Sequence, residues 1–403
     1  MALSIGSVLS GVVGGLRLVE WLGKVPPVRR WLRRRPLRYL SSVQGEFEAV
    51  AEAPTLRVEP ADASESDAQP EPGEPRGQPL RQFVPELGAV HLLGSAGAGK
   101  SWSVGRYVYD LARAEWTRRM GLDSAQPTLP VYARASHEHL LDALGRFLLR
   151  HGFYRDVPPQ DCVRELLARG GWTIILDDVH LHLEDDERMD TLGLSEILDY
   201  RDRNRILLAG RPHVARNPRG VRQIAMAPLD DKTRSAVVRH HLAEGARAEY
   251  VEGVIARANK ATALYGTPQA LRLVAEAVEQ DSRLPDRLTE LFGSVHRARI
   301  ASAQDRSASA PFDLGLSRAV LGALAYDRLA TGSYQFSMAT ARQALGAALD
   351  EVGAAVAGPL TASSAVDALL SDGYLIRDGE ELRFEHDRWQ EYFAATFIVE
   401  RQL

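Results

Sequence analysis

The sequence predicts an α/β protein: a doubly wound parallel sheet, followed by helical domains and a C-terminal winged helix. Between residues 81 and 229, short apolar runs alternate with segments of helical periodicity. A glycine-rich turn joins the first of these runs to a helical pattern. Near the end of the chain, two short strand patterns around an Asp-Gly turn lie between helical segments.

The apolar runs are the predicted strands of the sheet. They cover residues 89–93, 129–133, 172–176, 206–209 and 223–226. Runs that are apolar on both faces are typical of buried parallel strands. Helices between such strands imply a doubly wound sheet whose ligand lies beyond the carboxyl ends of the strands.

Helical patterns dominate the rest of the chain. We expect an α/β domain over 81–229, a helical domain over 230–300, a helical continuation over 301–361 and a winged helix over 362–403. In the winged helix, a helix through Leu370 precedes strands at 374–377 and 381–384, and a closing helix follows.

Bulk composition narrows the classes of protein that fit. A chain of 403 residues can hold about two to four modules. The formal net charge of −4 implies no general attraction to nucleic acid. Cys162 is the single cysteine, which excludes an internal disulfide framework and fits a reducing compartment such as the cytoplasm.

The N-terminal segment, residues 1–45, carries eight basic groups and one acid, a balance of +7. An apolar helical pattern with a small-residue face occupies residues 5–19, and the arginine-rich stretch after it suits an anionic membrane surface. Arg17 and Glu20 interrupt the pattern before the roughly 20 apolar residues of a membrane span. Three interpretations stay open: a membrane-associating or oligomerising effector helix that makes contact through residues 1–38, a docked structural helix, and a disordered tail.

Residues 46–80 have the composition of a linker. Residues 46–79 contain nine acids, two arginines and six prolines, a balance of −7. Large apolar residues are sparse, so burial cannot offset the entropy lost on ordering. We therefore expect an acidic, proline-rich, disordered linker here.

The glycine-rich turn is a complete phosphate-binding loop (P-loop). It consists of Gly94, Ser95, Ala96, Gly97, Ala98, Gly99, Lys100 and Ser101. Glycine lets backbone N–H groups approach phosphate oxygens, and the helix that continues through Trp102 points its positive end at the anion. Lys100 would reach the β- and γ-phosphates, and Ser101 would supply a hydroxyl to Mg²⁺.

Two further motifs end predicted strands. Asp177 closes an apolar run and would hold Mg²⁺ through water, because this hard cation prefers oxygen ligands. Asp178 is a candidate for polarising the attacking water, with a helix or loop cap as the alternative. Arg211 follows Leu-Leu-Ala-Gly and could reach a γ-phosphate through its guanidinium, although the sequence alone favours an ordinary surface arginine.

Six motifs in a fixed order carry a resemblance to a known class. They are the P-loop, Leu-Pro-Val-Tyr (129–132), Ile-Leu-Asp-Asp (175–178), Leu-Leu-Ala-Gly-Arg-Pro (207–212), Tyr-Gly-Thr-Pro-Gln-Ala-Leu (265–271) and Phe-Glu-His-Asp-Arg-Trp-Gln-Glu-Tyr-Phe-Ala-Ala (384–395). Over residues 85–400 the chain resembles the STAND class of signal-transduction NTPases, and within it the NACHT family.

The resemblance implies roles for residues far apart in the chain. Pro268 would pack on the adenine, and Gly266 would permit a tight helix start. Arg211 would sense the γ-phosphate. His386 would bind the β-phosphate of ADP and lock a closed state; the alternatives are a capped helix start for His386 and a first helical residue for Pro268.

By the same resemblance, the protein is an ADP/ATP switch of cytoplasmic signalling. ATP would drive homo-oligomerisation and cluster the N-terminal segments, at the inner face of the cell membrane if these segments bind lipid. Prokaryotic defence or stress response is the implied setting, with an unknown trigger molecule or partner. Asp178 departs from the NACHT pattern and resembles the NB-ARC branch, and the usual downstream acids are absent, so hydrolysis would be slow. Family members continue into a sensor array that does not follow here, so a longer natural protein or a separate partner would read the trigger.

Two other classes of protein fit the sequence less well. A DNA-binding ATPase or transcription regulator would use the winged helix as a reader, but residues 366–403 contain four arginines against nine acids, a balance of −5. A nucleic-acid partner is therefore not expected. A transporter-type or metabolic P-loop enzyme is the least favoured, because no acceptor-substrate motif stands out.

Overall fold

A computed structural model of the chain places its elements in two compact units. The described residues are 35–61, 77–85, 88–95, 97–119, 128–135, 139–156, 158, 160–179, 186–212, 218, 220–242, 246–257, 266–278, 287–306, 311–353, 360–378 and 381–401. The first unit comprises residues 1–95 and 100–227, and the second comprises residues 96–99 and 228–403. The apolar segment at 5–19 and the rest of 1–34 lie outside the described residues.

Within the described residues, the first unit contains seven strands in one sheet. They are β1 Arg57–Pro60, β2 Gln78–Pro79, β3 Gly88–Leu93, β4 Leu129–Arg134, β5 Trp172–Asp177, β6 Arg205–Gly210 and β7 Arg222–Met226. The strand order is β2-β1-β7-β3-β6-β5-β4. Strands β3 to β7 pair in parallel, whereas β1 runs antiparallel to both of its neighbours. The predicted α/β fold and all five predicted strands are confirmed.

Burial explains why these segments form the sheet centre. Every residue of β5 is buried, and so is every residue of β3 and β6 except the first. Strands that are covered on both sides lose the alternation of half-exposed strands and are apolar throughout. Leu92 pairs with Ala209, and Leu176 pairs with Leu208, so the carboxyl ends of β3, β6 and β5 finish at the same edge.

Helices connect the strands of the first unit. The described helices are α1 Arg35–Glu46, α2 Glu48–Ala51, α3 Lys100–Arg119, α4 Leu140–Arg150, α5 Gln160–Arg169, α6 Asp186–Thr191 and α7 Leu194–Asp199. α3 links β3 to β4, α4 and α5 link β4 to β5, and α6 and α7 link β5 to β6. Cys162 lies on α5 with an exposed thiol.

The helix α1 docks onto this unit through Tyr39, which is fully buried. The Tyr39 hydroxyl donates a hydrogen bond to the carbonyl of Pro130 in β4. The rings of Phe147, Phe153 and Trp172 meet the Tyr39 ring edge-on, with centroids 5.5 to 6.5 Å away. Such edge-to-face contacts favour a fixed ring position, so Tyr39 anchors α1 to the sheet.

The structure corrects the expected linker at 46–80. Residues 57–60 form β1 and pair with β7, and Val58 is fully buried. The prediction of disorder is therefore wrong for residues 46–61 and 77–80, while residues 62–76 lie outside the described residues. The average composition of the stretch hides its few apolar residues, and these are the ones that enter the core.

The second unit consists mainly of helices. They are α8 Asp231–Leu242, α9 Ala246–Arg257, α10 Pro268–Val278, α11 Leu288–Arg306, α12 Leu314–Ala330, α13 Met338–Val352, α14 Ala362–Ser371 and α15 Asp387–Arg401. Within the part of this unit that is described, strands β8 Phe336–Ser337, β9 Leu375–Asp378 and β10 Glu381–Phe384 form an antiparallel sheet in the order β8-β10-β9.

The hairpin β9–β10 and the helices α14 and α15 form as the sequence predicts, with β9 shifted by one residue from the expected 374–377. The strand β8 was not predicted. It pairs with β10 through Phe336 and Leu382, which are both buried. The small sheet therefore draws one strand from outside the stretch 362–403.

Replacing Tyr39 with alanine should destabilise the first unit. The change removes a fully buried ring and its hydroxyl, so we expect a loss of about 3 kcal/mol in the free energy of unfolding. Chemical denaturation followed by tryptophan fluorescence measures it. Arg38→Ala on the exposed face of α1 is the matched control. A loss below about 1 kcal/mol for Tyr39→Ala would show that α1 is not anchored by this ring.

Candidate nucleotide-binding site

The strand order brings three predicted motifs to one edge of the sheet. β6 lies between β3, which leads into the P-loop, and β5, which ends at Asp177. Arg211 follows β6 directly and therefore leaves the sheet between the other two motifs. The sequence predicts the strand β6 but not its position between β3 and β5, because hydrogen-bonded neighbours in a parallel sheet need not follow one another along the chain.

The P-loop turns tightly after β3. The Gly94 N–H donates to the Gly210 carbonyl at 3.2 Å, which holds the loop start against β6. Gly97 and Gly99 adopt φ angles of +78° and +91°, a region that other residues rarely enter. Ala96 lies outside the described residues. The helix α3 then begins at Lys100.

Lys100 is 7% exposed and closes onto its own loop. Its Nζ donates to the carbonyl oxygens of Gly94 at 2.7 Å and Ser95 at 3.1 Å. A lysine ammonium is a compact charge with three donors, and two of its hydrogen bonds here go to the carbonyls of its own loop. The arrangement keeps the cation inside the loop.

Asp177 lies at the end of β5 and is 1% exposed; its Oδ1 accepts the backbone N–H of Asp178 at 3.0 Å, and the Tyr132 hydroxyl donates to its Oδ2 at 3.4 Å. Burial, and then the charge of Asp178, raise the pKa of Asp177 to about 6, while Arg134, Ser101 and Lys100 act in the opposite direction. A carboxylate beside a hydroxyl is a hard oxygen donor set that fits Mg²⁺, which in such sites takes its other ligands from water and phosphates. Among the described residues, no three or more His, Cys, Asp and Glu side chains form a metal-binding cluster.

Asp178 is engaged by Arg134, a residue that the sequence analysis did not single out. Arg134 ends β4, and its Nη2 and Nε lie 2.5 and 2.8 Å from Asp178 Oδ2. Asp178 has a φ of +60°, a left-handed backbone that Asp tolerates better than most residues. The signal was available, because Arg134 directly follows the predicted strand 129–133 and therefore sits at the same edge.

A cavity of about 190 Å³ adjoins the first turns of α3. Its lining residues include Pro54, Leu56, Leu80, Trp102, Arg106 and Tyr107. The other lining residues are Thr55, Pro79, Arg81, Ser103 and Asp110, so polar and charged groups stand beside the apolar and aromatic ones. Part of the wall comes from residues 54–56, 79 and 80, within the stretch expected to be a linker, so sequence reasoning missed it.

The other predicted site residues lie in the second unit. Pro268 is the first residue of α10, and the Thr267 hydroxyl caps that helix by accepting the Ala270 N–H at 3.3 Å. Gly266 immediately precedes this cap. Pro268 is thus a first helical residue, which agrees with the second interpretation given for it above. Its packing on the adenine stays a prediction.

His386 lies in the turn between β10 and α15. Its Nδ1 accepts the backbone N–H of Arg388 at 3.1 Å, so the neutral ring carries its proton on Nε2. Burial lowers the pKa of His386 to about 4, and among the nearby charges Asp387 raises this pKa whereas Arg272 and Arg388 lower it. At neutral pH the ring is an uncharged N–H donor.

Comparisons with known proteins identify no family for this chain. No protein-family model matches the chain, and no curated protein matches it. A STAND protein with a tetratricopeptide repeat sensor from Pyrococcus horikoshii is 14% identical (TM-score 0.39), the match covering 79% of this chain and 44% of that one. The Aeropyrum pernix ORC2 protein in ADPNP–ADP complexes is 14% identical (TM-score 0.36), with 86% and 100% covered. Drosophila ORC bound to DNA is 13% identical (TM-score 0.34), with 76% and 81% covered.

The class of protein follows from the chain's own sheet and loop. A parallel sheet, a P-loop at the end of β3 and a buried aspartate at the end of β5 define a P-loop NTPase fold. Assignment to the NACHT family stays a prediction from the sequence motifs. None of the described helices is long and apolar enough to cross a bilayer.

A buried histidine beside the site makes the first unit sensitive to acid. His91 in β3 is fully buried, and burial, followed by the Lys100 charge, lowers its pKa from 6.5 to about 4. The unfolded chain therefore binds more protons between pH 6.5 and 4, and stability is lost as the pH falls through that window.

We expect His91→Leu to remove this loss, which amounts to about 2 kcal/mol between pH 7 and pH 5. Denaturant unfolding of the two proteins at both pH values measures it. Replacing the exposed Lys232 with Ala is the control and should leave the pH dependence unchanged. Equal pH dependence in His91→Leu and the parent chain would contradict the argument.

Proposed function

We propose that the protein is a nucleotide-dependent switch that binds ADP and ATP with Mg²⁺ and hydrolyses ATP slowly. The observation that carries the proposal is the placement of the buried carboxylate of Asp177 at the sheet edge where the P-loop closes around Lys100. A polyphosphate needs these parts together: amide donors, a cation and oxygen ligands for a metal.

The phosphates would lie in the P-loop. The N–H groups of residues 97–99 and the positive end of α3 would face the phosphate oxygens, and Lys100 would exchange its loop carbonyls for a phosphate. Ser101 and Asp177 would hold Mg²⁺, Asp177 through water. The ion neutralises charge on the phosphates.

The base would enter the cavity beside α3. A cavity of about 190 Å³ with apolar and aromatic walls suits a flat heterocycle. Trp102 and Tyr107 offer ring faces, and Leu56 and Leu80 offer apolar contact. Preference for adenine rests on the resemblance to the STAND class, which also places Pro268 against the base.

Slow turnover is supported by the pairing of Asp178. A carboxylate that polarises water needs an available oxygen, and Arg134 holds Oδ2 at 2.5 Å. Arg211 would contact the γ-phosphate, since it leaves the sheet between the P-loop and β5. With Arg211 at the γ-phosphate, the rate of hydrolysis would depend on whether Arg134 releases the Asp178 carboxylate.

The remaining steps are proposed from the sequence motifs. His386 would donate its Nε2–H to the β-phosphate of ADP and hold a closed state, and ATP would release it. Release would permit homo-oligomerisation, and clustering would raise the effective concentration of the N-terminal segments. Contact of residues 1–38 with the inner face of the cell membrane, an unknown trigger and a role in defence belong to the same proposal. Nucleic acid is not a proposed partner.

Nucleotide binding by wild type and Lys100→Ala tests the first step. We expect Lys100→Ala to weaken binding of a fluorescent ADP by at least about 100-fold, because a charge-assisted contact to phosphate is lost. Lys232→Ala, an exposed lysine, is the control and should bind as wild type does. Similar affinity in Lys100→Ala and wild type would refute the site.

The same proteins test the switch. We expect wild type to have a larger mass by light scattering with a non-hydrolysable ATP analogue than with ADP, and Lys100→Ala to have one mass in both. A variant lacking residues 1–34, which leaves α1 intact, should still assemble but should no longer float with anionic vesicles. Equal mass of wild type in both nucleotides would refute nucleotide-driven assembly.

Substitutions at Asp178 and Arg134 test the account of slow hydrolysis. We expect Asp178→Asn to lower the ATP turnover number about tenfold or more, because the group that polarises water is lost. Arg134→Gln should raise the turnover number, because it frees the carboxylate. Phosphate release under saturating MgATP measures both. A fall in Arg134→Gln as large as in Asp178→Asn would assign Arg134 a direct catalytic role instead.

A further inference from the structure

Four charged side chains form a closed ring within the second unit. Arg272 and Glu276 come from α10, Arg299 from α11 and Glu385 from the turn between β10 and α15. Arg272 Nη2 lies 2.9 Å from Glu385 Oε1, and Arg299 Nη2 lies 2.9 Å from both Glu385 Oε2 and Glu276 Oε2. Arg272 Nε and Glu276 Oε1, at 3.5 Å, close the ring.

The ring is held from several sides. The Arg299 side chain is 13% exposed, lies over the rings of Tyr374 and Trp389 at 5.5 and 5.3 Å, and donates through Nη1 to the Gly373 carbonyl at 2.6 Å. Burial opposes ionisation of Glu385, but Arg272 and Arg299 outweigh it and the pKa of Glu385 lies below its ordinary value. Glu385 is therefore a carboxylate at neutral pH.

The ring joins two places that the sequence analysis linked to nucleotide. Arg272 lies one helical turn after Pro268 on α10, and Glu385 directly precedes His386. The Glu385 N–H also donates to the Tyr374 carbonyl at 2.9 Å, which fixes the start of the turn. Movement of the turn away from α10 would break the pair between Arg272 and Glu385 and leave Arg272 only the longer contact with Glu276, and loss of a partly buried ion pair is costly.

We infer that Arg272 and Glu385 are positioning residues for His386: their ion pair fixes the turn so that Nε2–H is presented to a nucleotide phosphate in a set place relative to α10. The inference rests on the proposed function. On this inference the four charged residues do more than stabilise the fold. If the His386 Nε2–H is displaced, it loses its hydrogen bond to the phosphate even when the protein stays folded.

Dissociation of fluorescent ADP from the full chain, followed by stopped flow, tests the inference. His386→Ala sets the scale. We expect Glu385→Gln to raise the dissociation rate about tenfold, close to His386→Ala. Glu276→Gln removes a charge from the far side of the ring and should change the rate much less. Glu252→Gln, in an exposed ion pair with Arg239, is the control outside the ring.

A charge-balanced double variant separates positioning from stability. Arg272→Met with Glu385→Gln removes one positive and one negative charge and leaves the Arg299–Glu276 pair intact. We expect this variant to recover the thermal midpoint that Glu385→Gln alone lowers, while ADP still dissociates rapidly. Recovery of slow ADP dissociation together with the midpoint would overturn the inference and leave the ring a structural role.

The titration of His386 provides a second readout. The charged groups that act on the His386 imidazole are Glu385, Asp387, Arg388 and Arg272. Because Arg272 disfavours the protonated ring, Arg272→Met should raise the pKa of His386 above about 4, as measured by NMR of labelled histidine with His386→Ala for assignment. An unchanged pKa of His386 in Arg272→Met would contradict the electrostatic effect of Arg272 on the imidazole.

The outcomes distinguish this inference from the function on which it rests. If wild type does not retain ADP, the proposed function fails and the positioning role falls with it. If wild type retains ADP, and His386→Ala releases it but Glu385→Gln does not, the positioning role alone is overturned. If His386→Ala retains ADP as wild type does, the latch is wrong while binding at the P-loop stands.

Discussion

The burial of the Asp177 carboxylate beside the P-loop is the constraint on which the rest of the candidate site depends. β6 separates β5, which ends at Asp177, from β3, which leads into the P-loop, so three strands must end at one edge to bring the two together. Burial and the charge of Asp178 disfavour the ionised carboxylate, whereas the charges of Arg134 and Lys100 favour it. A further cation bound at this carboxylate would lower the cost of its ionisation.

Much of the fold could be read from the sequence, for identifiable physical reasons. Strands such as β3 and β5 are buried on both sides and are therefore continuous apolar runs, and the P-loop glycines mark positive φ. Strand order was not readable, because side-chain pattern does not encode which parallel strands pair. The two-residue strand β8 was missed, because it is too short to show a period.

The site was less readable than the fold. Asp177 is recognisable in the sequence because it ends an apolar run. The partner of Asp178 is Arg134, which lies 44 residues away along the chain. No local sequence pattern predicts this ion pair, because it forms only where β4 and β5 pair in the sheet. The prediction for segment 46–61 was wrong for the converse reason: its charged average composition conceals a few apolar residues, among them Val58, which the sheet buries.

The exposed thiol of Cys162 on α5 limits the covalent chemistry of any assembly. It is the sole cysteine of the chain, and a thiol joins only one other thiol in a disulfide. Air oxidation can therefore link two copies at most. Species larger than a pair that persist under denaturing, non-reducing electrophoresis would have to owe their resistance to another bond.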